Sequence, residues 1–258
     1  MKKLGFVGMG NMAQAMAKGF IDSGIIKGKD VFAYAPNQEK LKANAEKIGF
    51  IPCASLDEVI EGADFIIAAC KPYQIKDVFE PIKDKLAGKV LVSVAASWYF
   101  AEYKELLGER VRVQVIMPNT PVAVRRGVLV IEEENDLEPD ERIELIKLLE
   151  AVGSVVELPR KLFGVGSSVS GCGPAFMDMV IEAMADGAVK NGIPRPEAYE
   201  LICQMMIGSA ELVMQSGLHP GQLKDNVCSP GGITIKGVAA LEEGGIRSAF
   251  IKAIDAIS

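Results

Sequence analysis

Hydrophobic positions keep two rhythms along this chain, and the change comes after about Leu158. Before it, short β-branched or aliphatic runs alternate with segments whose apolar residues recur every three to four positions, as strands and amphipathic helices require. Leu4 to Val7 reads as strand, Met12 to Ile21 as helix, Val31 to Tyr34 as strand and Gln38 to Lys47 as helix. Ser55 with Glu58 has the spacing of a capping box and opens a short helix. Strand Phe65 to Ala69, helix Ile75 to Leu86, strands Val90 to Val94, Val111 to Ile116 and Val128 to Ile131, and a helix from Pro139 to Ala151 continue the series. Such alternation predicts an α/β fold: a doubly wound, mainly parallel sheet with helices on both faces.

Beyond Leu158 the pattern becomes wholly helical, which sets a domain boundary between residues 1–158 and 159–258. Phe176, Met177, Val180, Ile181, Met184 and Ala188 recur at helical spacing, and Asn191-Gly192 supplies a stop. From Pro196 to Gln215 the segment is apolar around much of its circumference, with Leu201, Ile202, Met205, Met206, Ile207, Leu212, Val213 and Met214. A lone surface helix carries only a stripe. Such a helix is buried in its own domain or against a second subunit, and with only about 100 residues available to cover it, a homodimer is the expectation.

Composition narrows the class. At 258 residues and 49% hydrophobic, the chain has enough apolar surface for a substantial core in one large or two medium domains. A formal charge of −6, with lysines scattered among acids, argues against a nucleic-acid partner. The five cysteines include no CxxC pair and read as reduced, buried thiols, with no metal-ligand spacing among them. The apolar run from Leu4 is broken by Asn11 and Gln14 and serves better as a strand than as a leader. No run approaches a membrane span in length, so a cytoplasmic protein without a membrane partner is expected.

Two bare-backbone turns carry the chemistry. Gly8-Met9-Gly10-Asn11-Met12-Ala13 follows a strand and opens a helix. Gly8 permits the tight turn, Gly10 lets the backbone approach a pyrophosphate, and Ala13 allows close helix–strand packing, the dinucleotide fingerprint of a Rossmann-like domain. The second strand ends Ala33-Tyr34-Ala35-Pro36-Asn37, without the Asp or Glu that usually accepts from the ribose 2′-hydroxyl of NAD. Asn37 is instead placed to donate to a 2′-phosphate, which points to NADPH, with NADH the alternative. Further cofactor contacts are expected beyond the strand ends: Ala69, Lys71 and Pro72 in one loop, Ala95 and Ala96 in the next, and Asn119 in the rigid turn Met117-Pro118-Asn119-Thr120-Pro121. That turn reads equally as a structural connector or a wall of the nicotinamide pocket. The second bare turn, Ser229-Pro230-Gly231-Gly232-Ile233-Thr234, leads into a helix with a hydroxyl beside it and is built to cradle a small carboxylate.

The chain resembles the pyrroline-5-carboxylate reductase family over essentially its whole length. The most specific match is Leu223-Lys224-Asp225-Asn226-Val227-Cys228-Ser229-Pro230-Gly231-Gly232-Ile233-Thr234, followed by Gly237, Leu241 and Glu242. Supporting matches are Lys71-Pro72, Asn119-Thr120-Pro121, Ser170-Gly171-Cys172-Gly173-Pro174-Ala175, taken as a turn, and His219-Pro220-Gly221-Gln222. Cys172 departs from the serine common in the family. The resemblance implies a dinucleotide-binding domain, a helical dimerisation domain, a ring of dimers, and hydride transfer to the C=N carbon of 1-pyrroline-5-carboxylate to give L-proline, the last step of proline biosynthesis.

The residues suit that reaction. A cyclic imine carboxylate needs an anion site and a proton for nitrogen. Ser229 and the amides of Gly231, Gly232, Ile233 and Thr234 are the expected substrate contacts, and the Thr234 hydroxyl is the candidate catalytic group at the ring nitrogen, with a helix N-cap as its competing role. The sole histidine, His219, reads as structural. Two rival functions stand beside this one. A 3-hydroxyacid dehydrogenase would need a lysine in the second half, whereas the Lys-x-x-x-Asn spacing falls at Lys40 and Asn44. A non-catalytic nucleotide sensor or scaffold would have no use for the cradle.

Overall fold

The computed structural model describes residues 2–257 and divides into two compact units, one ending at Pro174 and one beginning at Ala175. The first unit runs β1 (Leu4–Val7), α1 (Asn11–Asp22), β2 (Val31–Tyr34), α2 (Gln38–Ile48), β3 (Ile51–Pro52), α3 (Leu56–Gly62), β4 (Phe65–Ala68), α4 (Ile75–Phe79), β5 (Val90–Ser93), α5 (Phe100–Leu107), β6 (Arg112–Pro118), β7 (Gly127–Asn135), α6 (Pro139–Glu150) and β8 (Gly153–Leu158), and it includes the start of α7 (Arg160–Lys190). The strands form one eight-stranded sheet in the order β3-β2-β1-β4-β5-β6-β7-β8. All neighbours are parallel except β6 with β7.

Alternation along each strand feeds two cores. Leu4, Phe6, Phe65, Ile67, Val90 and Val92 pack with Met16, Phe20, Leu41, Leu145 and Leu149 of α1, α2 and α6. Val7, Ile66, Ala68 and Leu91 pack with Val59, Ile75, Phe79, Tyr103 and Leu107 of α3, α4 and α5. A sheet buried on both faces in this way forces every ligand to its rim, and in open parallel sheets that rim is the carboxyl ends of the strands.

The hydrophobic rhythm misplaces several elements. The expected helix from Ile75 to Leu86 ends at Phe79, because Pro81 has no N–H for the carbonyl of Asp77, and the chain tightens into a 3-10 turn at Glu80–Ile82. Two edge strands, β3 and β8, were not expected, and neither was α5. The strand expected at Val128 to Ile131 runs on to Asn135, and its Glu132 is fully buried. The carboxylate of Glu132 accepts from Phe100 N–H at 2.9 Å and so caps α5 from across the sheet. Ser55 does cap α3, accepting from Glu58 N–H at 3.3 Å, while Glu58 reaches back to Ala54 N–H at 2.9 Å. Of the five cysteines, all free, only Cys53 is buried.

A further correction concerns Ser170 to Ala175. No turn interrupts the chain there: α7 is helical throughout, with Pro174 in its interior. Its first turns belong to the sheet unit. Arg160 lies 3.4 Å over the Tyr99 ring and binds Glu102 at 2.9 Å, and Phe163 is buried against the same ring.

The second unit is helical: the rest of α7, α8 (Arg195–Ser216), α9 (Pro220–Asn226), α10 (Ile233–Glu243) and α11 (Ile246–Asp255). Gly192, at φ +96°, follows the end of α7 as the Asn191-Gly192 stop requires. The core of this unit is small: Ala185, Ala198 and Ile202, with Ile181, Ala188, Val189 and Met206 around them. Leu201, Ile207, Leu212 and Met214 of α8 remain exposed in the single chain. Among the described residues no single helix is long and apolar enough to cross a membrane; α8 and α9 pass that test only together and are bent by 118°.

Candidate functional site

The glycine turn at the end of β1 has the form its sequence requires. Gly8 sits at φ +99°, and a Cβ there would stand 2.7 Å from the backbone of Ala69. Its N–H donates to Tyr34 O at 2.8 Å and Ala69 N–H donates to Val7 O at 2.9 Å, which together hold the ends of β1, β2 and β4. Gly10 is the N-cap of α1, and no side chain caps the helix behind it. A Cβ on Gly10 would meet nothing within 4 Å. The turn therefore opens onto free space with the unpaired N–H groups and the positive dipole end of α1 facing it, which fits a dinucleotide's pyrophosphate. Asn11 is exposed, Met12 half-buried, and Ala13 buried under the sheet. Gln14 Nε2 donates to Met9 O at 3.0 Å and fixes the turn from behind.

After β2, Ala35 is half-buried and Asn37 exposed. Asn37 Oδ1 accepts from Lys40 N–H at 2.9 Å and caps α2, so its amide nitrogen faces outward as a donor. Gln38 Nε2 donates to Ala35 O at 3.0 Å and to Cys53 O at 3.2 Å, holding that strand end in place.

The loops after β4 and β5 are tied to one another. Trp98 Nε1 donates to Pro72 O at 3.0 Å, and the Trp98 ring packs 5.1 Å from that of Tyr103. Tyr103 and Ser93 share a buried hydrogen bond of 2.7 Å, and Ser93 Oγ also accepts from Ala95 N–H at 3.2 Å. Burial holds the Tyr103 phenol well above its ordinary range, so it stays protonated. Ala69 is half-buried, Ala95 buried, and Ala96 and Lys71 exposed at the rim, with Lys71 N–H given to Gln74 Oε1 at 3.1 Å. Burial pushes the Cys70 thiol, in the same loop, up to about 11. Periodicity gives no hint of Trp98 or Tyr103; the one available signal was an isolated tryptophan just beyond a strand.

Asn119, just after the end of β6, is 5% exposed and its amide is hydrogen-bonded at both ends. Its Oδ1 accepts from Val128 N–H at 2.8 Å, and its Nδ2 donates to Ser170 O at 3.0 Å.

In the helical unit, Ser229 to Gly232 form a tight turn closed by Gly232 N–H to Ser229 O at 3.0 Å. Gly231 takes φ +69°, which favours glycine, and a Cβ on Gly232 would lie 2.4 Å from Ser229 Oγ, which would have to rotate away. Gly232 is the N-cap of α10, again without a side-chain cap. Thr234 is therefore not the cap. It is the second helical residue, exposed, and its hydroxyl has no hydrogen-bond partner among the described residues. Ile233 is 87% exposed beside it. His219 caps α9, its Nδ1 accepting from Gly221 N–H at 3.0 Å.

Residues 160–258 match the family model for pyrroline-5-carboxylate reductase dimerisation, and residues 3–97 that for NADP oxidoreductase, coenzyme F420-dependent. The chain is similar to the pyrroline-5-carboxylate reductase of Treponema pallidum, 40% identical over 98% of this chain and 97% of the relative. It is also similar to that of Methanosarcina acetivorans, 35% identical over 98% and 94%. Among solved structures, Plasmodium falciparum pyrroline carboxylate reductase with NADP bound superposes with a TM-score of 0.89 at 31% identity, covering 99% of this chain and 95% of that one.

Proposed function

The chain belongs to the pyrroline-5-carboxylate reductase family, and from that premise we propose how its residues divide the work. It is an NAD(P)H-dependent oxidoreductase that reduces 1-pyrroline-5-carboxylate to L-proline, and it acts as an oligomer on a small molecule. The cofactor lies along the carboxyl rim of the sheet. Gly8, Gly10, Asn11 and Met12 receive its pyrophosphate at the N-terminus of α1; Ala35 and Asn37 receive the adenosine ribose, with Asn37 Nδ2 donating to a 2′-phosphate. Ala69, Lys71, Pro72, Ala95 and Ala96 line the path of the nicotinamide half, and Asn119 contributes the turn that walls it. NADPH is the preferred form, because no carboxylate at the end of β2 repels a 2′-phosphate. Once bound, the reduced nicotinamide supplies the hydride.

The substrate carboxylate is received by Ser229 and the amides of Gly231, Gly232 and Ile233, and Thr234 bonds the ring nitrogen. The observation that carries this assignment is the free Thr234 hydroxyl beside an uncapped helix N-terminus. An amide cradle at a helix N-terminus stabilises the anion, and a hydroxyl at the nitrogen orients the imine and relays a proton from water. Lys40 and Asn44, the only pair spaced for hydroxyacid chemistry, lie on α2 in the first half of the chain. We place the boundary between cofactor and dimerisation domains after Leu158, supported by the dimerisation match from residue 160. The assembly is a ring of dimers in the cytoplasm, without membrane or nucleic-acid partners.

An absorbance assay with purified protein tests the whole. Steady oxidation of NADPH with 1-pyrroline-5-carboxylate, and no reduction of NADP with 3-hydroxyacids, is expected. Activity with the hydroxyacids alone would overturn the substrate assignment.

A further inference from the structure

A proline inside a helix leaves a debt of one hydrogen bond. Pro174 has no N–H for the carbonyl of Ser170, four residues earlier, and its ring pushes that carbonyl away from the helix axis. The carbonyl is not left bare: Asn119 Nδ2 donates to it at 3.0 Å. The other end of the same amide accepts from Val128 N–H, the second residue of β7, at 2.8 Å. One end must accept and the other must donate, so the two partners fix the orientation of the amide. Asn119 itself is buried, and it is the N-cap of the 3-10 turn Thr120–Val124 at the carboxyl rim of the sheet. The amide thus joins three segments at one point: the end of β6, the start of β7 and the exposed carbonyl of α7.

We propose that Asn119 is a positioning residue that sets the nicotinamide wall by clasping the carbonyl that Pro174 frees in α7. It holds the turn through two committed hydrogen bonds and acts on the reaction through the geometry of that turn. This deepens the proposed function, since the turn matters to catalysis only if it walls the cofactor. A buried donor that replaces a missing helix hydrogen bond has one signature in stability: restoring the backbone N–H makes its contribution to Tm dispensable.

Asn119→Asp keeps the acceptor for Val128 N–H and replaces the donor facing Ser170 with an oxygen. Two carbonyl-type oxygens then face each other in a buried site. In this variant kcat should fall about tenfold to a hundredfold, the scale of a small misplacement of reacting groups, with the Kd for NADPH close to wild type. Lowering the pH should restore activity to Asn119→Asp relative to wild type, because a protonated carboxyl donates to Ser170 O as the amide did. Pro174→Ala alone should change little. In the double variant Asn119→Asp/Pro174→Ala, the new N–H of residue 174 takes the Ser170 carbonyl, so Tm should rise above that of Asn119→Asp, while kcat should stay low because the turn remains unclasped.

Losses in Tm that simply add in the double variant would overturn the clasp, as would a wild-type kcat in Asn119→Asp with only Tm reduced. If Asn119→Asp alone does not fold, recovery of folded protein in the double variant supports the proposal and continued failure refutes it. The coupling in Tm is read without substrate, so it stands apart from the assignment of the reaction, which fails only if the wild-type protein does not reduce the imine.

Discussion

Thr234→Val is the sharpest perturbation of the proposed chemistry, because the fold leaves the hydroxyl nothing structural to do. Gly232 caps α10, Thr234 occupies the second helical position, and its hydroxyl has no partner among the described residues. Valine keeps the shape and the β-branching. A threonine N-cap would be worth about 1 kcal/mol, which for a chain of this size is about 2–4 °C in Tm. No such bond exists here, so Tm should move by less than that. A hydroxyl that orients the imine and relays its proton contributes about ten- to a thousandfold in rate, or roughly 1.4–4 kcal/mol of transition-state stabilisation. Steady-state kinetics, fluorescence titration of NADPH and thermal melting on one preparation separate the outcomes. The expected set is a depressed kcat, an unchanged Kd for NADPH and an unchanged Tm, with Thr234→Ser recovering most of the rate. A folded Thr234→Val enzyme with near-normal kcat would refute the argument and leave the backbone cradle and the substrate's own protonation as the mechanism.

Three other measurements bear on the remaining assignments. The ratio kcat/KM should favour NADPH over NADH, and Asn37→Asp, which preserves the α2 cap while placing a carboxylate opposite the 2′-phosphate, should erode that preference by about tenfold or more; a wild-type preference for NADH would remove Asn37 from the cofactor site. Light scattering at micromolar concentration should find a dimer or a multiple of one, and a fully active monomer would contradict the reading of α8. Cys70, with its thiol pushed up to about 11, has a thiolate fraction of roughly one in a thousand at pH 8. Iodoacetamide should therefore label it last among the partly exposed cysteines in a mass-spectrometric time course, and early labelling of Cys70 would contradict the burial.

Much of the site is legible in the sequence because it is written in backbone requirements. Gly8 and Gly231 need left-handed φ, Gly10 and Gly232 leave helix ends bare, and Ser55 and Asn37 cap the helices that follow them. Such demands are local, so neighbouring residues reveal them. What stayed hidden depends on partners far along the chain. The beginning of α5 is capped by Glu132, 32 residues away, so no capping residue announces the helix. Gly171, Gly173 and Pro174 signal a break by every local rule, yet α7 continues, and Asn119, 51 residues from Ser170, supplies the donor that Pro174 lacks. Asn119 looks like a free side chain at a strand end, and only its distant partners reveal that its amide is held at both ends.

The exposed face of α8 has a genetic consequence. A pairing related by a two-fold axis presents each residue of that face twice, so one codon change alters the interface in two places. A substitution that weakens each half by about 1 kcal/mol costs the pair about 2 kcal/mol, close to thirtyfold in Kd. If they line that pairing, Leu201, Ile207, Leu212 and Met214 are in this sense constrained beyond what their exposure in one chain suggests. When wild-type and altered subunits are made together, mixed pairs carry only half of the defect, so a subunit unable to pair with its own kind can still be rescued by a normal one.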